Sequence, residues 1–91
     1  MELKDTAKGM QSADYKERFI AEYNQLNIRI KKLEKFVGKI KYAVYAEVEE
    51  PKHDCPLEVL ERQLFAMKLY KLILEIRAEK YEHIELPKGE E

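Results

Sequence analysis

A chain of 91 residues with one cysteine, three glycines and three prolines is one small domain that no internal disulfide can staple. The lone thiol predicts a reducing, cytoplasmic setting, since no stretch approaches the ~18 apolar residues of a membrane span and MELKDTAKGMQSA lacks a signal peptide's basic-then-apolar layout. A formal charge of −1 argues against general nucleic-acid binding. The charge is unevenly spread: residues 15–41 hold eight Lys/Arg against three Glu, and residues 46–66 hold two against six acids. A basic side of this kind suits a small anionic ligand, or steers one chain onto the acidic part of another.

Residues 1–13 are polar and aperiodic and read as a flexible N-terminal arm, with a short helical arm as the alternative. Order is expected from Asp14, where Asp14 and Glu17 have capping-box spacing. Phe19, Tyr23, Leu26, Ile30, Leu33, Val37 and Ile40 then step by fours and threes, an apolar seam that keeps one helix face against a partner. Arg29, Lys31, Lys32 and Lys35 fall outside that seam. Gly38 would end the helix or be tolerated inside it at roughly 1 kcal/mol. The alternation of Ile40, Tyr42, Val44, Ala46 and Val48 is strand-like. A strand here would have to pair between chains, and we favour helix over about 14–45.

A loop is expected over about 46–55, with Pro51 ruling out helix through it. The second helix is expected over about 56–81. Pro56 would take its first helical position, Asp54 or Cys55 its cap, and Glu58 its first turn. Residues 87–91 form a polar tail, so the hairpin domain is 14–86. At 100° per residue, Leu60, Leu64, Met67, Tyr70, Leu74, Ala78 and Tyr81 gather on one side of this helix, while Phe65, Leu69, Leu72 and Ile76 gather on the opposite side. One neighbouring helix covers one of these faces, and an exposed apolar row is an association surface. The expected fold is all-α: an antiparallel two-helix hairpin assembling into a homo-oligomeric bundle through Phe65, Leu69, Leu72 and Ile76.

His53, Asp54 and Cys55 invite a nucleophile or metal reading. They are neighbours on a loop, zinc needs three or four ligands, and the other histidine, His83, stands in the tail. Helix initiation accounts for them, and no metal or cofactor is expected. Glu22, Glu75 and Glu79 lack the Glu-x-x-His spacing of a di-iron bundle and read as exposed or interface-edge charges. The better candidates are two basic-aromatic clusters. Lys39 and Lys41 flank Tyr42 and Tyr45, and Tyr15 stands with Lys16 and Arg18 near where an antiparallel hairpin would bring Arg77 and Lys80. Tyrosines stack on a base and cations pair with phosphate. Tyr15, Arg18, Lys39, Lys41, Tyr42, Tyr45 and Arg77 are therefore the candidate ligand-binding residues, with no catalytic set among them.

DYKERFIAEYNQLNIRIKKLEKFV and CPLEVLERQLFAMKLYKLILEIRAE together resemble a family of small helical proteins of tailed phages and prophages, first labelled from a crAss-like phage. The shared marks are Tyr15, Glu17, Arg18, Glu22, Tyr23 and Leu33, then Cys55, Pro56, Glu58, Gln63, Met67, Tyr70, Leu74, Arg77 and Ala78, closing with Ile84–Leu86. KIKYAVYAEVEEPKH is longer than the family's pattern. The resemblance implies a non-enzymatic phage accessory protein in the host cytoplasm and carries over no catalytic residues. Small oligomeric phage sponges that sequester cyclic-nucleotide immune signals between subunits offer an analogy. The expectation is a homo-oligomer that binds a small nucleotide second messenger, as an anti-defence protein. The rival is a host-protein inhibitor or assembly adaptor working through the second face of the second helix.

Overall fold

An unbroken helix, α1, runs from Tyr15 to Ala46 in the computed structural model, which describes residues 14–87 together with Leu3, Thr6 and Met10. The expected arm over 1–13 lies outside the described residues apart from those three positions, as do residues 88–91 of the tail. Thirty-two residues at 1.5 Å each span ~48 Å, which accounts for the 49 Å long axis. Asp14 caps α1, its Oδ1 accepting from the amides of Lys16 at 2.8 Å and Glu17 at 3.4 Å. Gly38 is tolerated inside the helix, and the strand-like alternation after it is helical as far as Ala46. α1 ends in a Schellman motif: the amide of Val48 donates to the Ala43 carbonyl at 3.0 Å and that of Glu47 to Val44 at 3.3 Å. Glu47 takes the left-handed conformation this requires, at φ 57°.

A nine-residue span over 47–55 and the cap residue Pro56 then lead into α2, Leu57–Ile76. The sequence expectation is one residue out here. Pro56 is the N-cap itself, its carbonyl accepting from Val59 at 3.0 Å and Leu60 at 3.2 Å, and no side chain caps the helix. Asp54 and Cys55 therefore do not act as caps. His53 instead closes the loop. Its Nδ1 meets the Cys55 carbonyl at 2.6 Å, its Nε2 meets Glu50 at 3.2 Å, and its ring stands edge-on to Phe36.

The seam residues of α1 are buried as their spacing requires, except Leu33, which is half-buried. Phe19, Tyr23, Leu26, Ile30, Leu74, Ala78 and Ile84 make one cluster, with Leu64, Met67 and Leu86 packed against it. Val37, Ile40 and Ala43 bury the loop-ward half of α1. The predicted second face of α2 stands in solvent, with Phe65, Leu69, Leu72 and Ile76 all exposed.

The last helical turns differ from the expected α-helix. Residues Arg77–Glu82 form a π-helix, closed by His83 at φ 53° and by the Ile84 amide donating to Ala78 at 2.9 Å. The wider π turn advances each residue through a smaller angle than 100°. Tyr81, placed on the inner side by α-helical spacing, swings outward to 74% exposure. Tyr70, also expected inside, is exposed at the seam's edge.

Candidate functional site

The two flanks of the α1–α2 seam are built differently. On one, three cross-helix contacts stitch the hairpin: Lys41 to Glu61 at 2.8 Å, Lys68 to Glu34 at 2.7 Å, and the Tyr23 hydroxyl donating to Glu75 at 2.6 Å. The other flank carries Tyr15, Arg18, Glu22, Arg29, Lys32 and Phe36 from α1, and Gln63, Met67, Tyr70 and Arg77 from α2 and the π turn. A groove of about 570 Å³ opens on it, lined by Leu26, Leu33, Phe36, Met67 and Tyr70, with Arg29, Lys32 and Gln63 supplying the polar lining. That volume lies within the ~300–1,000 Å³ of small-ligand sites.

At the chain-terminal end of this flank the hairpin brings Tyr15 and Arg77 together. The Arg77 guanidinium donates to the Tyr15 hydroxyl oxygen at 2.8 Å and to Glu82 at 2.7 Å, while the Tyr15 hydroxyl donates to the other Glu82 oxygen. The guanidinium lies 5.1 Å from the centroid of the Phe19 ring, and Arg18 lies 6.0 Å from that of Tyr15. Arg77 and Glu82 are five residues apart, a spacing that shares a face in a π turn and not in an α turn. The ion pair and the π segment therefore support each other. One step further along, the Tyr70 hydroxyl donates to Glu22.

These contacts set the electrostatics. The hydrogen bond to Glu82 holds the Tyr15 hydroxyl above its ordinary range, and the same bond, helped by Arg77, holds the Glu82 carboxyl below its own. Glu22 raises Tyr70 in the same way. Burial, then Glu75, raises Tyr23. Arg77 thus faces a carboxylate already. Arg29 and Lys32 do not: among the described residues neither has a hydrogen-bond or ion-pair partner. Their uncompensated charge borders an apolar floor with one tyrosine at its edge. Such a floor takes a flat ring, and such a rim takes an anion.

Of the residues singled out in the sequence, Tyr15, Arg18 and Arg77 converge at one end. Lys39, Lys41, Tyr42 and Tyr45 lie at the other, roughly 40 Å away along α1. There Lys41 is engaged by Glu61, and Tyr42 and Tyr45 project into solvent at 68% and 91% exposure. One chain does not bring the two clusters together. Sequence reasoning passed over Arg29, Lys32, Phe36, Gln63 and Tyr70 as ligand contacts. A signal for part of this was present: Arg18, Arg29, Lys32 and Phe36 fall within about 60° of one another at helical spacing. Glu22 and Glu75, expected at exposed or interface edges, serve as tyrosine acceptors across the seam.

Among the described residues, no three His, Cys, Asp or Glu side chains converge as a metal site would need, and no helix is long and apolar enough to cross a membrane. Residues 13–80, most of the chain and all of this flank except the last π residues, match the family model of Sequestin. The chain belongs to the Sequestin family. No curated protein and no solved structure matches it.

Proposed function

We propose that this Sequestin family member is a phage accessory protein that binds, without cleaving, a small nucleotide-derived immune signal and so blunts host defence. The observation that carries the reading is the pairing of an apolar, aromatic-edged groove with two cations, Arg29 and Lys32, that no described side chain neutralises. The ligand's base lies against Phe36, Met67 and Tyr70, and its phosphate meets the two cations. Tyr15, Arg18 and Arg77 extend the site along the same flank. Lys39, Lys41, Tyr42 and Tyr45 join it only from another copy of the chain. The family name, Sequestin, denotes sequestering and supports binding over turnover. The exposed outer face of α2 supports a homo-oligomer.

Thermal shift and calorimetry against cyclic di- and trinucleotides and ADP-ribose derivatives test the proposal. A specific ligand raises the melting temperature by mass action and is recovered intact after the protein is denatured. Silence across the panel removes the reading. The exposed Phe65, Leu69, Leu72 and Ile76 favour one alternative, an inhibitor or adaptor that seats a host protein on this face. Saturating ligand binding by a form whose outer face is disrupted, Leu69→Asp, separates the two.

A further inference from the structure

The outer face of α2 has an order along its length as well as a composition. From the N-terminal end it reads Glu58, Arg62, Phe65, Leu69, Leu72 with Ile73, and Ile76 at α-helical spacing, with Lys80 following in the π turn, all exposed. The order is symmetric about Leu69. Phe65 and Ile73 lie four residues either side, Arg62 and Ile76 seven, and Glu58 and Lys80 eleven. Charges facing α1 are used within the chain, by Lys41 with Glu61 and Lys68 with Glu34. Glu58, Arg62 and Lys80 have no hydrogen-bond or ion-pair partner among the described residues.

We propose that the outer face of α2 pairs with the same face of a second copy, antiparallel, about a two-fold axis through Leu69. That arrangement sets Glu58 of each chain opposite Lys80 of the other and Phe65 opposite Ile73, closing the apolar row between two charge pairs. It is isologous, as a closed dimer requires. A parallel pairing would set Lys80 on Lys80 and Arg62 on Arg62, and like charges at both ends oppose it. The row runs from Phe65 to Ile76, and removing it from water is the driving force. The pairing goes beyond the ligand reading and is independent of it: it needs no nucleotide, and a silent ligand panel leaves it intact.

Cross-linking reads the direction directly. In a Cys55→Ser background, a mixture of Arg62→Cys and Ile76→Cys chains treated with a short bismaleimide is expected to give a mixed 62–76 dimer and no 76–76 product. Two Ile76 positions in the antiparallel pair are about 21 Å apart along the axis. Sedimentation reads the charge register. Glu58→Lys alone and Lys80→Glu alone should each weaken the dimer about threefold to tenfold, and the double reversal should restore it to within about twofold. Far-UV circular dichroism confirms that each variant stays helical. A 76–76 product, a monomer at micromolar concentration, or no recovery in the double reversal overturns the proposal.

Discussion

At the terminal end of the hairpin, Tyr15, Arg77 and Glu82 are bonded to one another, the guanidinium lies over Phe19, and Ile84 seals the core behind them. At the loop end, Tyr42 and Tyr45 touch no described partner of this kind, and Lys41 reaches only a half-exposed Glu61. Both ends are rich in tyrosines and cations. What separates them is support: a π turn and the packed Ile84 and Leu86 hold one set in place, whereas Tyr42 and Tyr45 stand on the outer face of α1. A site whose side chains are already held loses less freedom on binding. Residue type alone therefore ranks the two ends equally, and contact ranks the terminal flank first.

The largest expected effect tests that difference in stability. Leu74 has no exposed surface and belongs to the cluster under the Tyr15–Arg77 contact. Leu74→Ala should cost about 2–5 kcal/mol by urea unfolding, a large part of a small domain's total. Tyr45→Ala at the opposite end should stay within about 0.5 kcal/mol. Comparable losses would mean that the loop end is buried in the working protein and that the two ends are equally supported.

The next effect is on affinity. Arg29→Ala or Lys32→Ala should weaken binding of a ligand identified by the nucleotide panel about tenfold or more, the worth of one charge-assisted hydrogen bond. Lys39→Ala combined with Tyr45→Ala should change it less than about twofold if the site lies within one chain. A loss there as large as that from Arg29 would place the loop end of a second copy in the site. Isothermal titration of each variant, with its helix content checked, decides between these outcomes.

Much of the fold was legible because hairpin packing leaves a periodic trace. The seam from Phe19 to Ile40 and the exposed second face of α2 follow from spacing alone, whereas the alternation over 40–48 is strand-like and only the want of a partner strand within the chain favours helix there. The π turn did not, since residues 77–82 satisfy α-helical periodicity as well, and only the Arg77–Glu82 pair and the docking of Ile84 distinguish the two registers. The Pro56 cap was displaced by one residue because proline suits both the N-cap's extended conformation here and the first helical position. The site was half legible. Spacing brought Tyr15 to Arg77, but the groove depends on which flank of the seam leaves Arg29 and Lys32 without a partner, and that is a property of two helices together.

Two smaller changes should stabilise the loop-ward half. A Cβ built at Gly38 meets nothing within 4 Å, and the residue lies inside α1, so Gly38→Ala should add about 0.8–1 kcal/mol by helix propensity. Glu47 holds a left-handed conformation at φ 57°, which costs a side-chain-bearing residue about 1–2 kcal/mol. Glu47→Gly should return part of that, about 0.5–1 kcal/mol after the entropy cost of glycine. The two should add, being well separated. Gly38→Ala lowering the midpoint would mean that another chain approaches that helix face closely.

The smallest effect is one of pH, and it acts oppositely at the two ends. At the loop end the Cys55 carbonyl, then Glu50, holds His53 above its ordinary value of 6.5. Its charged ring donates from both nitrogens, whereas the neutral ring has one donor. A raised pKa in the folded chain places this contribution in full below 6.5 and removes it as pH climbs through the folded value. At the terminal end Tyr15, then Arg77, holds Glu82 below 4.5. That contribution is in full above 4.5 and is lost as pH falls through the folded value. Mild alkalinity should thus loosen residues 50–56 and leave 77–84 alone, and strong acid should do the reverse. Amide exchange rates, corrected for intrinsic pH dependence, read both segments at once, and His53→Gln should abolish the alkaline change only. Exchange at 50–56 that does not respond across the histidine range would show that the His53 contacts do not hold the loop.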